Sequence, residues 1–207
     1  MTRPPAPPCD FAFERQRYAQ GRRFVAGVDE VGRGPLAGPV LVAAVILDPR
    51  SAPEGLADSK TLSAERRTTL AQAILETALG LAIASASAAE VDYYNIRGAT
   101  LRAMARALAA LTPRPDFALI DGRDVPEGLI CPAEAIIGGD GRSQSIAAAS
   151  IVAKTIRDAL MAAADRRYPG YKFIDHAGYA TRAHREAILR LGPSPLHRRS
   201  FRVSDMD

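Results

Sequence analysis

The chain has 207 residues, 47% hydrophobic and 24% charged, which suffices for one sizeable core and excludes a disordered polyelectrolyte. Lys plus Arg total 27 against 23 for Asp plus Glu, so a net charge of +4 singles out no polyanion partner by itself. Two cysteines without Cys-x-x-Cys or Cys/His spacing exclude a zinc ribbon or a disulfide scaffold, and no apolar run reaches 18 residues, so neither a membrane span nor a membrane partner is expected.

The first 12 residues read as a proline-rich flexible leader without the apolar h-region of a signal peptide, and residues 13–22 as a short helix. From residue 23 to 207 a single domain is expected. Phe24–Asp29 reads as a strand, and PVLVAAVIL (39–47) as a buried one. Ser63 caps a helix running to about Ala78, with Glu65 in its first turn. Leu81–Ser87 is a third strand. Helical pattern resumes near Ala89, breaks near Asn95, continues over Arg97–Leu111 and is stopped by Pro113 and Pro115. Phe117–Ile120 and Ala135–Ile137 are further strands, Gln144–Ala164 a long alanine-rich helix, Tyr168–Gly178 a loop and Thr181–Arg190 a last helix, before an irregular basic tail. Early strands without long crossovers, followed by strand–helix alternation, predict an α/β fold with a mixed sheet flanked by helices and a helical C-terminal appendage.

Chemistry concentrates in VAGVDEVGRGPLAGPV (25–40). Asp29 and Glu30 stand side by side where a strand enters the core, although neighbours on a strand point to opposite faces. Gly32 and Gly34 let the chain bend and bring backbone N–H groups close to a ligand. A buried carboxylate pair is costly unless a cation satisfies it, and magnesium or manganese does so naturally. The competing reading is a surface turn with Arg33 as salt-bridge partner. A dinucleotide loop fails on spacing, on the prolines where a helix should open, and on charge.

Asp121 ends the apolar run ALIDG, where α/β sheets place ligands, though Asp-Gly is also a common turn. Asp158 lies on the alanine-rich helix. It stands four residues after Lys154, so an i,i+4 ion pair competes with a site role. Ser150 and Lys154 are one residue too far apart for a serine–lysine hydrolase motif. Four acids together suggest a site for two metal ions and in-line attack of water on a phosphodiester. From Arg182 to Arg202 six arginines face one acid, Glu186, an end suited to phosphates. His176, His184 and His197 are too few and too scattered for a metal set, and His197 is a candidate phosphate contact.

The segments GVDEVGRGPLAGPVLVAAVIL, LADSKTLSAERR, EVDYYNIRGATLRAM, ALIDG, GDGRSQSIAAASIVAKTIRDALM and HAGYATRAHREAILRLGPSPLHRRSF, in this order, resemble the ribonuclease HII (type 2 ribonuclease H) family over roughly residues 23–202. The resemblance implies a ribonuclease H-like sheet and an endonuclease dependent on Mg2+ or Mn2+. Its substrates would be RNA/DNA hybrids and duplex DNA containing a single ribonucleotide, nicked on the 5′ side. It implies that Asp29, Glu30, Asp121 and Asp158 hold the metal, and that the backbone of Gly32, Arg33 and Gly34 recognises the 2′-OH. Tyr179 would stack on the deoxyribose beyond the ribonucleotide, Lys60 approach the scissile region, and Arg198 and Arg199 hold the nucleic-acid backbone. A cytoplasmic monomer is expected. The family's His-Lys-Gly-Tyr is here His176-Ala177-Gly178-Tyr179, one cation fewer near substrate. The final residues, SFRVSDMD, carry no clamp-docking motif.

Overall fold

The computed structural model describes residues 9–202. Five strands, β1 (Val25–Val31), β2 (Val40–Ile46), β3 (Gly80–Ala86), β4 (Phe117–Asp121) and β5 (Ala133–Ile136), form one sheet in the order β3-β2-β1-β4-β5. The first three strands run antiparallel, and β4 and β5 continue parallel to β1. The mixed sheet is therefore as expected, with β4 and β5 shifted by one or two residues from their sequence boundaries.

Strand β2 is buried along its whole length because both faces are covered. Val40, Val42, Ala44 and Ile46 pack with residues of α3 (Ala88–Ala110). Leu41, Ala43 and Val45 pack on the other side against α2 (Ala64–Thr77) and the alanine-rich start of α4 (Gln144–Arg167). Ser63 caps α2, and Ser87 with Glu90 closes a capping box on α3. The expected break in α3 falls on Asn95, at φ 59°.

Small residues let α4 lie directly on the sheet. A Cβ at Gly27 of β1 would stand 2.0 Å from the backbone carbon of Ser145. Gly27→Ala should therefore destabilise the fold by about 3 kcal/mol, seen as a fall in Tm of roughly 10 °C in a thermal melt.

Residues 9–12, expected as part of a flexible leader, are packed on the domain. Asp10 bridges Ser143, Phe11 is buried, and α1 spans Ala12–Ala19. The cause is Glu14, fully buried, which accepts hydrogen bonds from the Ser143 hydroxyl (2.6 Å) and the Ser145 amide (2.9 Å) at the N-terminus of α4. Residues 1–8 of the expected leader lie outside the described residues, as do residues 203–207 of SFRVSDMD. The loop expected at 168–178 contains a short helix, α5 (Phe173–His176), ahead of α6 (Arg182–Leu191). These pack with Leu36, Ala37 and Met161, so the C-terminal appendage sits against the loop that follows β1. Among the described residues no helix is long and apolar enough to cross a membrane.

Candidate active site

The parallel ladder between β1 and β4 ends at Val28 and Ile120. Beyond that pair the strands part, and the carboxylates of Asp29, Glu30 and Asp121 fill the opening at the strands' carboxyl ends. One oxygen from each lies within 4.8 Å of the others. The adjacent strand residues Asp29 and Glu30 share one site beyond the end of the β1–β4 ladder, while β1 stays paired with β2 there. A cleft lined by Glu30, Arg33, Asp121, Arg123 and Asp124 opens beside them.

The electrostatics are unfavourable without a cation. Asp29 is 5% exposed; burial, then repulsion from Glu30 and Asp121, raises its pKa well above the ordinary carboxylate value, against help from the Ser150 hydroxyl and the Glu30 amide. Burial also raises Glu30, although Arg33 at 3.2 Å opposes it. Burial and then Asp140 raise Asp121, with the Gly139 amide opposing at 2.7 Å. Three hard oxygen donors, each held above its normal pKa by the others or by burial, fit a divalent cation.

A carboxyl raised on folding binds its proton more tightly in the folded state, so the metal-free protein loses stability as pH climbs from the unfolded value through the folded one. Magnesium or manganese should restore that loss. The Tm gain on adding metal is expected to be larger at pH 8 than at pH 5, which thermal melts with metal and with chelator measure.

Asp158 does not join this group. It lies eight residues beyond Ser150 on α4, about 12 Å along the helix axis. Its carboxylate pairs with Lys154 at 2.7 Å and stands 3.8 Å from Arg67. The i,i+4 ion pair is the reading the fold selects. The acid beside the trio is Asp140, which sequence reasoning missed. It is 8% exposed, sits in a 3-10 turn (Gly139–Gly141) before α4, and lies close enough to Asp121 to repel it. Its motif, GGDGRS, reads as a glycine-rich turn; the usable signal was an acid just ahead of a helix that packs on the sheet.

Lys60 reaches this acid, 3.2 Å from Asp140 and 3.7 Å from Asp58. Burial would depress its pKa, but the two aspartates outweigh that and raise it. Lys60 thus stands beside the acids.

Gly32 takes φ +88° and Gly38 φ +89°, and a Cβ on either would collide with the Arg157 side chain or its neighbours. Arg33 and Gly34 between them are exposed. Tyr179, 46% exposed, approaches the same loop: its Cε1 lies 3.7 Å from where a Cβ on Gly34 would stand. Arg199 is exposed, with its amide held by Asp92 at 2.9 Å.

Arg198, expected to hold the nucleic-acid backbone, does not face solvent. It is 3% exposed, and its guanidinium donates to backbone carbonyls instead of facing solvent. His197 is likewise buried, accepting from Ser194, and is not free for a phosphate. The three histidines, expected to be scattered, form a stack. His176 and His184 ring centres are 4.4 Å apart, and His184 Nε2 meets His197 Nε2 at 3.0 Å. With its Nδ1 bonded to the Tyr179 carbonyl (2.8 Å) and its pKa pushed down to about 4 by burial, His184 stays neutral and supports Tyr179.

A mixed sheet covered by helices, with clustered carboxylates at the ends of its central parallel strands, defines the ribonuclease H class of metal-dependent nuclease. The comparisons agree. The family model Ribonuclease HII matches residues 26–204. The Ribonuclease HII of Ruegeria pomeroyi is 56% identical over 98% of this chain and 84% of its own length, and that of Sinorhizobium medicae 57% over 96% and 91%. Among solved structures, the ribonuclease H2 of Pyrococcus horikoshii superposes with a TM-score of 0.74 at 24% identity, covering 87% of this chain and 95% of that one. The RNase HII of Archaeoglobus fulgidus, solved as a complex with PCNA, gives 0.74 at 25% identity over 89% and 98%. The chain belongs to the ribonuclease HII family. It is a ribonuclease H, an endonuclease that acts on nucleic acid.

Proposed function

We propose that the protein cleaves the RNA strand of RNA/DNA hybrids and nicks duplex DNA 5′ to a single embedded ribonucleotide, leaving 5′-phosphate and 3′-OH. The observation that carries this is the juxtaposition of the acid trio with an exposed glycine-flanked loop and a surface tyrosine at its edge. Asp29, Glu30, Asp121 and, by its position, Asp140 would hold two divalent cations. Bound cations would activate the attacking water and neutralise the leaving oxygen.

The remaining roles belong to the chain itself. The exposed backbone at Arg33 and Gly34 meets the 2′-OH, the group that distinguishes RNA from DNA at one nucleotide. Tyr179 offers an aromatic face to the next sugar. Lys60 places a cation beside the acids, where a phosphate would otherwise meet only negative charge. Arg199 positions the duplex without reading sequence. Ribonucleotide repair and primer removal in the cytoplasm, by a monomer, are the settings this chemistry suits.

The test is a nicking assay on a duplex with one ribonucleotide, an all-DNA control and an RNA/DNA hybrid, each with magnesium, manganese or chelator. Metal-dependent nicking 5′ to the lone ribonucleotide, with all-DNA intact, is expected. Cutting of all-DNA would keep the metal site and overturn the ribose-reading loop. Absence of cutting with binding retained would leave a non-catalytic module. In the same assay Tyr179→Ala should lose roughly tenfold on the lone ribonucleotide, the order expected from losing one stacking contact, and less on the hybrid. Equal losses would remove its role at the junction.

A further inference from the structure

A loop that reads a sugar through its backbone needs its peptide groups aimed, and glycines do not aim themselves. Two buried arginines do so here. Arg198 donates to the carbonyls of Gly32 (2.5 Å), Arg33 (2.8 Å), Pro35 (2.8 Å) and Gly38 (2.8 Å). Arg157, fully buried on α4, donates to Pro39 (3.0 Å) and Ala37 (3.1 Å) and also to Ala177 (2.9 Å).

A trans peptide points its N–H opposite to its C=O. Turning the carbonyls of Gly32 and Arg33 inward therefore turns the amides of Arg33 and Gly34 outward. Among the described residues those two amides have no backbone or side-chain acceptor, whereas the next ones along are spent: Leu36 N–H donates to Gly178 (2.8 Å) and Gly38 N–H to Leu196 (2.9 Å). The outward pair is the part of the loop left for a ligand. Arg157 joins this loop to the segment carrying Tyr179, where Gly178 also packs its backbone on Ala37. Burying two guanidiniums is costly, and burial lowers the pKa of Arg198 to about 10; a fold that needed only packing here would be served by apolar side chains.

We propose that Arg198 and Arg157 are positioning residues for sugar selection: Arg198 aims the Arg33 and Gly34 amides at the 2′-OH, and Arg157 sets the span from that loop to Tyr179. The proposal rests on the reading of this loop as the ribose reader.

The test uses equilibrium binding, by fluorescence anisotropy, in an Asp121→Asn background so that substrate survives. The probes are a one-ribonucleotide duplex, the matching all-DNA duplex and an RNA/DNA hybrid. The parent should prefer the ribonucleotide duplex over all-DNA. Arg198→Lys, which keeps charge but not the fork of donors, should shrink that preference about tenfold, the worth of one such hydrogen bond. Arg157→Lys should keep it but lose the preference for the lone ribonucleotide over the hybrid.

A purely structural role lowers affinity for all three duplexes alike, so unchanged ratios in both variants would overturn the proposal. A parent without any preference would instead overturn the ribose-reading loop itself. Should the variants not fold, amide exchange by NMR on the parent decides. Arg33 and Gly34 should exchange fast and become protected by the ribonucleotide duplex but not by all-DNA; prior protection of both would refute the aimed pair.

Discussion

Asp29→Asn is expected to lower the cleavage rate by about three orders of magnitude or more and to leave duplex binding nearly intact. Asp29 is the most buried of the three acids and is held among the other two. The amide keeps the shape and one oxygen but removes the charge that fixes a cation in a water-poor setting. Metal stabilisation of the transition state is worth several kcal/mol, and about 4 kcal/mol is a thousandfold in rate. Binding survives because the negative charge repels phosphate; deleting it favours substrate. The same change should raise the Tm of the metal-free protein at pH 8, since one buried, mutually repelling carboxylate is gone. Single-turnover nicking and melts in chelator measure both. Cutting at the wild-type rate would mean that these acids are not the reaction centre.

Asp140→Asn and Asp158→Asn, compared in one experiment, should separate widely. Asp140 stands against Asp121 and under Lys60, so its loss should cost roughly a hundredfold in rate, the upper range for a group that tunes a metal site. Asp158 has a side chain 36% exposed and already paired with Lys154. Removing a partly exposed i,i+4 pair changes stability by under about 1 kcal/mol, and the rate should stay within about threefold. The opposite ranking would restore Asp158 as the fourth acid. Metal titration followed by heat separates a binding loss from a loss of chemistry, because Asp140→Asn should weaken metal binding and Asp158→Asn should not.

The acids Asp29, Glu30 and Asp121 were legible from residue order alone. Each lies near the carboxyl end of an apolar strand, where α/β sheets place their sites, although the strand period alone would turn Asp29 and Glu30 to opposite faces. The helix start at Ser63 and the break at Asn95 were equally local, because caps and kinks depend on a few adjacent residues, whereas Ser87, read as the end of a strand, proves to be the cap of α3.

Asp140 and Asp158 were a different matter. Helical periodicity says which face of α4 meets the sheet, but not which of its 24 residues, spread over about 36 Å, lies under the strand ends. That register comes from Gly27 against Ser145 and from Glu14 anchoring the start of the helix. It puts Ser150 beneath Asp29 and carries Asp158 two turns past it. Arg198 shows the same limit from the charge side. Among six arginines it reads as part of a solvated basic end, and only the return of the C-terminal chain beneath the Gly32–Gly38 loop turns it into a buried clamp. Strand ends, caps and the glycine loop are properties of neighbours in sequence. Asp140, the ion-paired Asp158 and the two clamping arginines depend on contacts between segments far apart in sequence, or on a helix register that only packing sets.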